Sequence, residues 1–190
     1  MDWESEVRPR RIAILQTMGP QIVEGKALVL SLANPVEAPT VHSVMRAAFQ
    51  EHQENLDPPS GALRETVEDV RAEMARGGAV LARLQGRPVG TVRFRVLPDH
   101  LYAGRLGVLP EYRRIGAARA MMQYLEVIAA ALGAPEIRLG TRKKLTANTA
   151  FYLSIGFEEV GLRPHPRGQD LISLFRKPVE AAEPPSSLGG

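Results

Sequence analysis

The chain has 190 residues, of which 44% are hydrophobic and 24% charged, and its formal net charge is +3. This length fits one domain and supplies enough apolar residues for a sizeable core. The absence of cysteine excludes disulfides, thiolate nucleophiles and cysteine-based metal sites. The four histidines are scattered without metal-ligand spacing, so no metal is expected. A charge of +3 gives no reason to expect a nucleic-acid partner.

The two ends of the chain differ in composition from its middle. The N-terminus has no apolar run of signal-peptide length, and no run reaches the ~18 to 20 residues of a transmembrane helix. A cytoplasmic protein without a membrane partner is therefore expected. Residues 1–26 are predicted to be a flexible arm, an extra edge strand or residues upstream of a later start such as Met18. Residues 178–190 are predicted to be a disordered tail.

Residues 27–177 show hydrophobic periodicity that predicts alternating strands and helices. In chain order the predicted elements are a strand at 27–32, helices near 41–48 and 63–74, strands at 79–84, 88–97 and 101–108, a long helix ending at Leu132, a strand at 137–141, a helix at 147–154, and strands at 157–161 and 171–176. Three consecutive strands before the longest helix predict an α/β domain. Its mixed, mostly antiparallel sheet would have six to seven strands flanked by about four helices.

The segment after the fourth strand combines several features of an anion site. Unpaired N–H groups at a helix start, the helix dipole and the side chains of Arg113 and Arg114 all favour negative charge. Gly116 lets the backbone approach a phosphate closely, and the alanines that follow leave room for its oxygens. The alternative is a basic surface turn in front of a core helix.

This segment resembles the acetyl-CoA signature [Q/R]xxGx[G/A] of the GNAT N-acetyltransferases, as Arg113-x-x-Gly116-x-Ala118. The resemblance implies a GNAT fold that splays between the fourth and fifth strands, after Val108, with acetyl-CoA as co-substrate. In that family the loop amides wrap the pyrophosphate and the preceding strand hydrogen-bonds the pantetheine. Ile115 stands where many members carry a basic residue, so one phosphate contact would be missing. The implied cofactor-binding residues are Leu106, Gly107, Val108, Arg113, Arg114, Gly116, Ala117 and Ala118.

A second segment, from Asn148 to Phe157, resembles the family pattern "N..A..FYekLGF". Asn148 and Tyr152 are four residues apart and therefore share a helical face. The resemblance implies that Asn148 steadies the cofactor and that Tyr152 protonates the departing sulfur. The alternative is that Tyr152 only packs. Residues 56–66 show a weaker resemblance to the loop and second helix of a bacterial GNAT subset whose substrates are largely unassigned.

The proton of the acceptor amine needs a destination, because an alkylamine has a pKa near ~10 and is mostly protonated at neutral pH. Many GNAT enzymes use a glutamate on the fourth strand, but this strand carries no carboxylate. A water relay is therefore expected, with Glu51 or Glu65 near the acceptor mouth as candidates. The alternative is that each of the two is an ordinary solvent-exposed carboxylate of a helix or loop. A backbone N–H of the same strand would stabilise the oxyanion.

Besides Glu51 and Glu65, the acceptor side of the site offers basic candidates. Arg93, Arg95 and Arg105 would favour a substrate with a carboxylate if they lined the acceptor pocket. Arg93 and Arg95, however, alternate with apolar residues and are expected on the wet face of the third strand. Arg105, on a central strand, and His165, in the loop before the last strand, are retained as substrate-binding candidates.

The sequence therefore predicts an enzyme that transfers the acetyl group of acetyl-CoA to the primary amine of a small molecule. The amine would attack directly, without a covalent enzyme intermediate. Acetylation of a protein N-terminus or lysine, and a non-catalytic acyl-CoA sensor, remain alternatives. A nucleic-acid binder is disfavoured because only residues 138–144 approach a basic cluster. The sequence leaves open whether the chain forms a homodimer.

Overall fold

The computed structural model describes residues 13–52 and 56–180, and its elements follow the predicted order. Residues 13–17 are helical, and four longer helices follow. These are α1 (Ala38–Phe49), α2 (Val67–Met74), α3 (Ala117–Ala131) and α4 (Thr146–Ser154). The strands are β1 (Gln21–Val23), β2 (Leu28–Leu32), β3 (Gly77–Leu84), β4 (Arg87–Val96), β5 (Leu101–Val108), β6 (Glu136–Arg142), β7 (Glu158–Pro164) and β8 (Leu171–Pro178).

The strands form one sheet in the order β1-β2-β3-β4-β5-β6-β8-β7. Only the β5–β6 pair is parallel, so the predicted mixed, mostly antiparallel sheet is confirmed. The described residues hold eight strands rather than six to seven, because Gln21–Val23 pairs with β2 as an edge strand. Residues 1–12 of the predicted N-terminal extension and residues 181–190 of the predicted tail lie outside the described residues.

Helices cover both faces of the sheet. The apolar stripe of α3, including Met121, Leu125 and Ile128, packs on one face. Helices α1 and α2 pack on the other, where Val41 and Val70 belong to a second buried cluster. The middle of β3 and of β4 is buried, and none of the helices in the described part of the chain is long and apolar enough to cross a membrane.

Strand β4 corrects one expectation from the sequence. Alternation predicted a wet face carrying Thr91, Arg93 and Arg95, but Thr91 is fully buried and Arg93 is only 8% exposed. The physical reason is that α2 packs against β4 and covers this face. Arg95 alone is exposed as predicted, near the strand end, where it pairs with Glu73.

The sheet opens between β5 and β6. The two strands pair only at Leu101↔Ile137 and Tyr102↔Arg138, so the predicted splay is confirmed. It begins directly after Tyr102, however, and not after Val108. A β-bulge accompanies the opening, because Arg105 and Leu106 together lie opposite a single residue of β4. Arg105 has a φ of 57°, the left-handed backbone that a bulge can demand.

Candidate functional site

Two adjoining cavities with shared lining residues lie at the opening in the sheet. The larger, called the groove, has a volume of about 810 Å³ and is bordered by the end of α1, the end of β5, residues 112–119 and the start of α4. The smaller, called the pocket, has a volume of about 250 Å³ and lies between residues 56–64, β5, β6 and the β7–β8 loop. The residues that line both cavities are Phe49, His52, Leu106, Leu145, Asn148 and Tyr152.

The loop that begins α3 has the backbone of an anion site. Gly116 caps the helix with a φ of 88°, and Arg114 has a φ of 64°. The first amide groups of α3, from Ala117 onward, have no carbonyl partner within the helix. Lys26 donates to the carbonyl of Ile115 and holds the loop from its outer side. All eight residues that the resemblance assigned to the cofactor line the groove.

The side chain of Arg113 is engaged away from the loop amides. Its Nη1 donates to Oε2 of Glu51 at 2.8 Å, and its Nη2 donates to Oε1 at 2.7 Å. The pair joins the loop to the residues that follow α1. The hydrogen bonds from Arg113 lower the pKa of the Glu51 carboxyl, so Glu51 is ionised at neutral pH. Glu51 therefore lies in the groove as a charged partner of Arg113.

Helix α4 places Asn148 and Tyr152 where the groove meets the pocket. Asn148 donates to Oγ1 of Thr141 at 3.4 Å. The Tyr152 ring packs against Phe157 and Phe175, with centroids 5.9 and 5.7 Å away. Burial raises the pKa of Tyr152, so its hydroxyl keeps its proton at neutral and mildly alkaline pH. This hydroxyl makes no hydrogen bond to the described residues.

Glu65 lies outside both cavities, between two arginines. Its Oε1 accepts from Nε and Nη2 of Arg105 at 2.9 and 2.6 Å, and its Oε2 lies 2.7 Å from Nη2 of Arg93. The reciprocal cap between Thr66 and Asp69 fixes the backbone beside it at the start of α2. Both oxygens of Glu65 thus neutralise buried or half-buried guanidinium groups. Burial lowers the pKa of Arg93, and the charge of Glu65 opposes this effect.

The remaining acceptor-side candidates, Arg105 and His165, both line the pocket. Nδ1 of His165 accepts from the backbone N–H of Arg167 at 3.2 Å. Burial and the charges of Arg142 and Arg167 lower the pKa of His165, so the ring is neutral at pH 7. No group of three or more histidine, aspartate and glutamate side chains within residues 13–52 and 56–180 is placed to hold a metal ion.

Sequence reasoning missed His52. Its side chain is 19% exposed, its Nε2 lies 3.4 Å from Oε1 of Glu51, and its ring meets Phe49 edge to face. Its buried Nδ1 has no hydrogen-bond partner among the described residues. Only its position beside the candidate Glu51 pointed to it in the sequence. His52 and Tyr152 are the titratable side chains that line both cavities in the described part of the chain.

Solved structures with a similar fold cover between 77% and 86% of this chain. The ribosomal-protein-S18-alanine N-acetyltransferase of Escherichia coli has a TM-score of 0.64 and 18% identity, covering 86% of this chain and 99% of that one. The PaiA N-acetyltransferase of Thermoplasma acidophilum, in complex with coenzyme A, has a TM-score of 0.65 and 18% identity over 77% and 97%. An aminoglycoside 6′-N-acetyltransferase complexed with coenzyme A has a TM-score of 0.63 and 19% identity over 82% and 99%.

At these identities the likeness concerns the fold. A comparison of the sequence with curated proteins found no match. A family model described as "Acetyltransferase (GNAT) family" matches residues 42–157, which is more than half of the chain and includes both motifs. The resemblance drawn from the sequence is thereby confirmed. This chain belongs to the GNAT acetyltransferase family.

Proposed function

We propose that this chain transfers the acetyl group of acetyl-CoA to the primary amine of a small molecule. The observation that carries the proposal is the meeting of the groove and the pocket at Asn148 and Tyr152. Two substrates bound in two adjoining cavities can react where the cavities join, because proximity and orientation supply much of the rate enhancement. We further propose residues 27–177 as the acetyltransferase domain.

The groove fits acetyl-CoA in shape and in chemistry. One end of it is the loop at Arg114 and Gly116, where helix amides and backbone in the left-handed region form a concave donor site for a pyrophosphate. Its other end follows β5 from Val108 to Leu106, where the separation from β6 leaves backbone groups for an extended pantetheine chain. The loop amides are the main ligands in this proposal, because Arg113 already binds Glu51.

The reaction needs one proton removed and one proton delivered. The amine nitrogen attacks the thioester carbonyl, a C–N bond forms, and the C–S bond breaks. Tyr152 gives its proton to the leaving thiolate, whose conjugate thiol has a pKa near ~8.5. The Tyr152 hydroxyl suits this role because it is protonated and makes no competing hydrogen bond to the described residues.

His52 takes the amine proton in this proposal, directly or through water. It borders both cavities, whereas Glu65 is held by two arginines outside them and Glu51 is bound to Arg113. The Glu51 carboxylate, 3.4 Å from the His52 ring, would stabilise the imidazolium that forms. The sequence predicted that the amine proton passes through water to Glu51. In this proposal His52 takes the proton, and Glu51 stabilises the charged His52 ring.

The volume of the pocket supports a small acceptor. About 250 Å³ lies below the usual range of drug-sized ligand sites, which begins at roughly 300 Å³. Among the structural relatives, one acts on the alanine of a ribosomal protein and another on an aminoglycoside, so the shared fold serves both classes of acceptor. A peptide acceptor therefore stays the alternative.

The function is tested by mixing the purified chain with acetyl-CoA and a panel of amines and measuring free thiol release. Acetyl-CoA binding by calorimetry is measured in parallel. Binding with turnover of at least one amine supports the enzyme, and the N-acetyl product is verified by mass. Tight binding without acetylation of any small or peptide amine would instead favour a sensor. Absence of acetyl-CoA binding would refute the whole assignment.

The loop assignment predicts opposite effects on coenzyme A affinity for the two partners of one ion pair. Arg113→Ala should weaken binding by about 1 to 2 kcal/mol, because the guanidinium that offsets the negative charge of Glu51 beside the phosphates is removed. Glu51→Gln should leave binding unchanged or tighten it, since the competing negative charge is gone. Calorimetry with coenzyme A measures both. Equal weakening by the two substitutions would contradict the assignment.

Gly116→Val should reduce coenzyme A affinity at least tenfold, which is about 1.4 kcal/mol. A side chain at a φ of 88° strains the loop, and its Cβ would lie 2.7 Å from Nζ of Lys26, so the Lys26 contact that holds the loop would be displaced. Gly133→Val is the matched control, because Gly133 has a φ of 69° just beyond the other end of α3 and nothing lies near its added Cβ. Similar affinity losses in the two variants would mean that backbone strain alone is responsible.

His52→Gln should lower kcat by roughly 10- to 100-fold, the lower part of the range for general base catalysis. His100→Gln serves as control, since His100 pairs with Asp99 and lines neither cavity. A kcat of His52→Gln that stays within a few-fold of the wild-type value, measured at saturating amine, would exclude His52 as the base.

A further inference from the structure

The charges that line the pocket are all of one sign. Its lining includes five arginines and no aspartate or glutamate. The five are Arg64, Arg105, Arg142, Arg163 and Arg167. A pocket built for an ordinary alkylammonium would hold carboxylates, because cationic walls repel a protonated amine.

Two of these arginines are neutralised from outside the pocket. Arg105 binds Glu65, and Arg142 donates to Oδ2 of Asp170 at 2.8 Å and to the carbonyl of Pro58 at 2.8 Å. Arg142 thereby ties the loop at residues 57–58 to the β7–β8 hairpin, which is a structural role. These two guanidinium groups have their own counter-ions and do not require a ligand.

The other three, Arg64, Arg163 and Arg167, make no ion pair and no side-chain hydrogen bond in residues 13–52 and 56–180. They come from three separate segments: the turn before α2, strand β7 and the β7–β8 loop. The segments converge on one cavity of about 250 Å³. Three exposed arginines that have no counter-ion within residues 13–52 and 56–180 thus border one small space, and their guanidinium donors match carboxylate and phosphate geometry.

The His165 ring lies close to the positive charges of this cavity. The pKa of its ring is lowered by burial and then by the positive charges of Arg142 and Arg167, with Asp170 opposing. The ring therefore adds a neutral polar surface to the pocket rather than a fourth free cation. A bound anion in this position would offset the same positive charges.

We propose that the pocket binds an oxyanion carried by the acceptor itself, so that the substrate is a small amine bearing a carboxylate or a phosphate. The inference rests on the proposed acetyltransferase function and names its substrate class. Arg64, Arg163 and Arg167 bind the anionic group, and the amine of the same molecule reaches the junction at Asn148 and Tyr152.

The same charges assist the chemistry. A positive environment favours the neutral form of an amine over its ammonium form, which is the form that can attack the thioester. The chain has no carboxylate on β5 to serve as base, so His52 still takes the amine proton, and the arginines favour its release by weakening the hold of the amine on it. Anion binding at the far end of the acceptor supplies the attraction that the ammonium would otherwise have to provide.

The test compares acceptors that share an amine and differ in charge. The pairs are 4-aminobutyrate with 4-aminobutanamide, and phosphoethanolamine with ethanolamine, each measured by thiol release at fixed ionic strength. The anionic member of at least one pair should have a kcat/KM at least roughly 10-fold higher. Which pair responds distinguishes carboxylate from phosphate. A kcat/KM for the neutral members equal to or above that of the anionic ones would overturn the proposal.

Variants assign the effect to the pocket. Arg163→Gln and Arg167→Gln should each lower kcat/KM for the preferred anionic acceptor by roughly 10-fold, and should lower kcat/KM for its neutral partner by a clearly smaller factor. Arg71→Gln is the matched control, because Arg71 is an exposed arginine paired with Glu68 and lines neither cavity. Loss of turnover that is equal for anionic and neutral acceptors would contradict a charge-reading role.

A direct binding measurement covers the case in which neither pair is turned over. Glutarate and inorganic phosphate are titrated into the wild-type chain and into the Arg163→Gln/Arg167→Gln double variant. Binding that the double variant loses supports the pocket, and no binding by the wild type overturns it. Acetyl-CoA affinity, measured on each protein, distinguishes failure of the proposed function from failure of the proposed substrate class. If the wild-type chain does not bind acetyl-CoA, the proposed function is refuted. Acetylation of neutral amines or of peptide N-termini in preference to small anionic amines refutes only the substrate class.

Discussion

Replacing Glu65 by alanine is expected to lower the free energy of unfolding by about 3 kcal/mol, the lower end of the range for breaking a buried ion pair. The substitution leaves Arg93, whose side chain is 10% exposed, beside Arg105 with no carboxylate between them. Nη1 of Arg93 is already buried without a hydrogen-bond partner in the described part of the chain. Urea unfolding of the purified variant measures the loss.

Two comparisons separate this electrostatic cost from the loss of packing. The double variant Glu65→Leu/Arg93→Met removes the charges of the buried pair and should recover most of the stability, because uncharged side chains of similar size need no partner. Arg105 also loses Glu65, but its side chain is 33% exposed and is solvated by water. Glu68→Ala, which breaks an exposed pair with Arg71 just inside α2, should change the stability by less than about 0.5 kcal/mol. A Glu65→Ala variant as stable as Glu68→Ala would show that water already solvates Arg93.

The order of the elements could be read from the sequence because each depends on neighbouring residues. The stripe of Met121, Leu125 and Ile128 has helical spacing, and the loop before it combines a glycine with two arginines within four residues. The signature at Arg113 and Gly116 likewise lies within a few residues. The fold class and the groove follow from such local signals.

Burial of polar residues could not be read in this way. Arg93 alternates with apolar neighbours as a solvent-facing residue would, and it is buried only because α2 covers the strand. The charge balance of the pocket likewise depends on Arg64 and Arg163, which are distant in sequence and meet only in the folded chain. His52 gains its position from the junction of two cavities, which no local pattern encodes.

For the residues expected to bind the phosphates, the sequence predicted the position in the groove but not the contacts of the side chain. The sequence placed Arg113 at the loop, and it lines the groove, but its guanidinium binds the Glu51 carboxylate in the structure. A short motif predicts which loop a side chain belongs to, but it does not predict which distant residue that side chain binds. The partner here comes from the segment after α1, more than sixty positions earlier.

Tyr152→Phe is expected to lower kcat by roughly 100-fold while leaving acetyl-CoA affinity nearly unchanged. The substitution removes one oxygen and keeps the ring, so the contacts with Phe157 and Phe175 remain. Because burial raises the pKa of Tyr152, the proton donor persists to alkaline pH. No alkaline loss of wild-type activity that is due to Tyr152 should therefore occur below about pH 10.

Tyr124→Phe is the matched control, because the Tyr124 hydroxyl donates to the carbonyl of Gly19 at 2.9 Å and lines neither cavity. That variant should lose about 1 kcal/mol of stability and keep its kcat. The loss in Tyr152→Phe should shrink with an acyl donor whose thiol is more acidic, because such a leaving group needs less protonation. If Tyr152 only packs, its variant keeps kcat within a few-fold at saturating acetyl-CoA, with chemistry rate-limiting. That result would end the acid assignment and leave Tyr152 as part of the wall between groove and pocket.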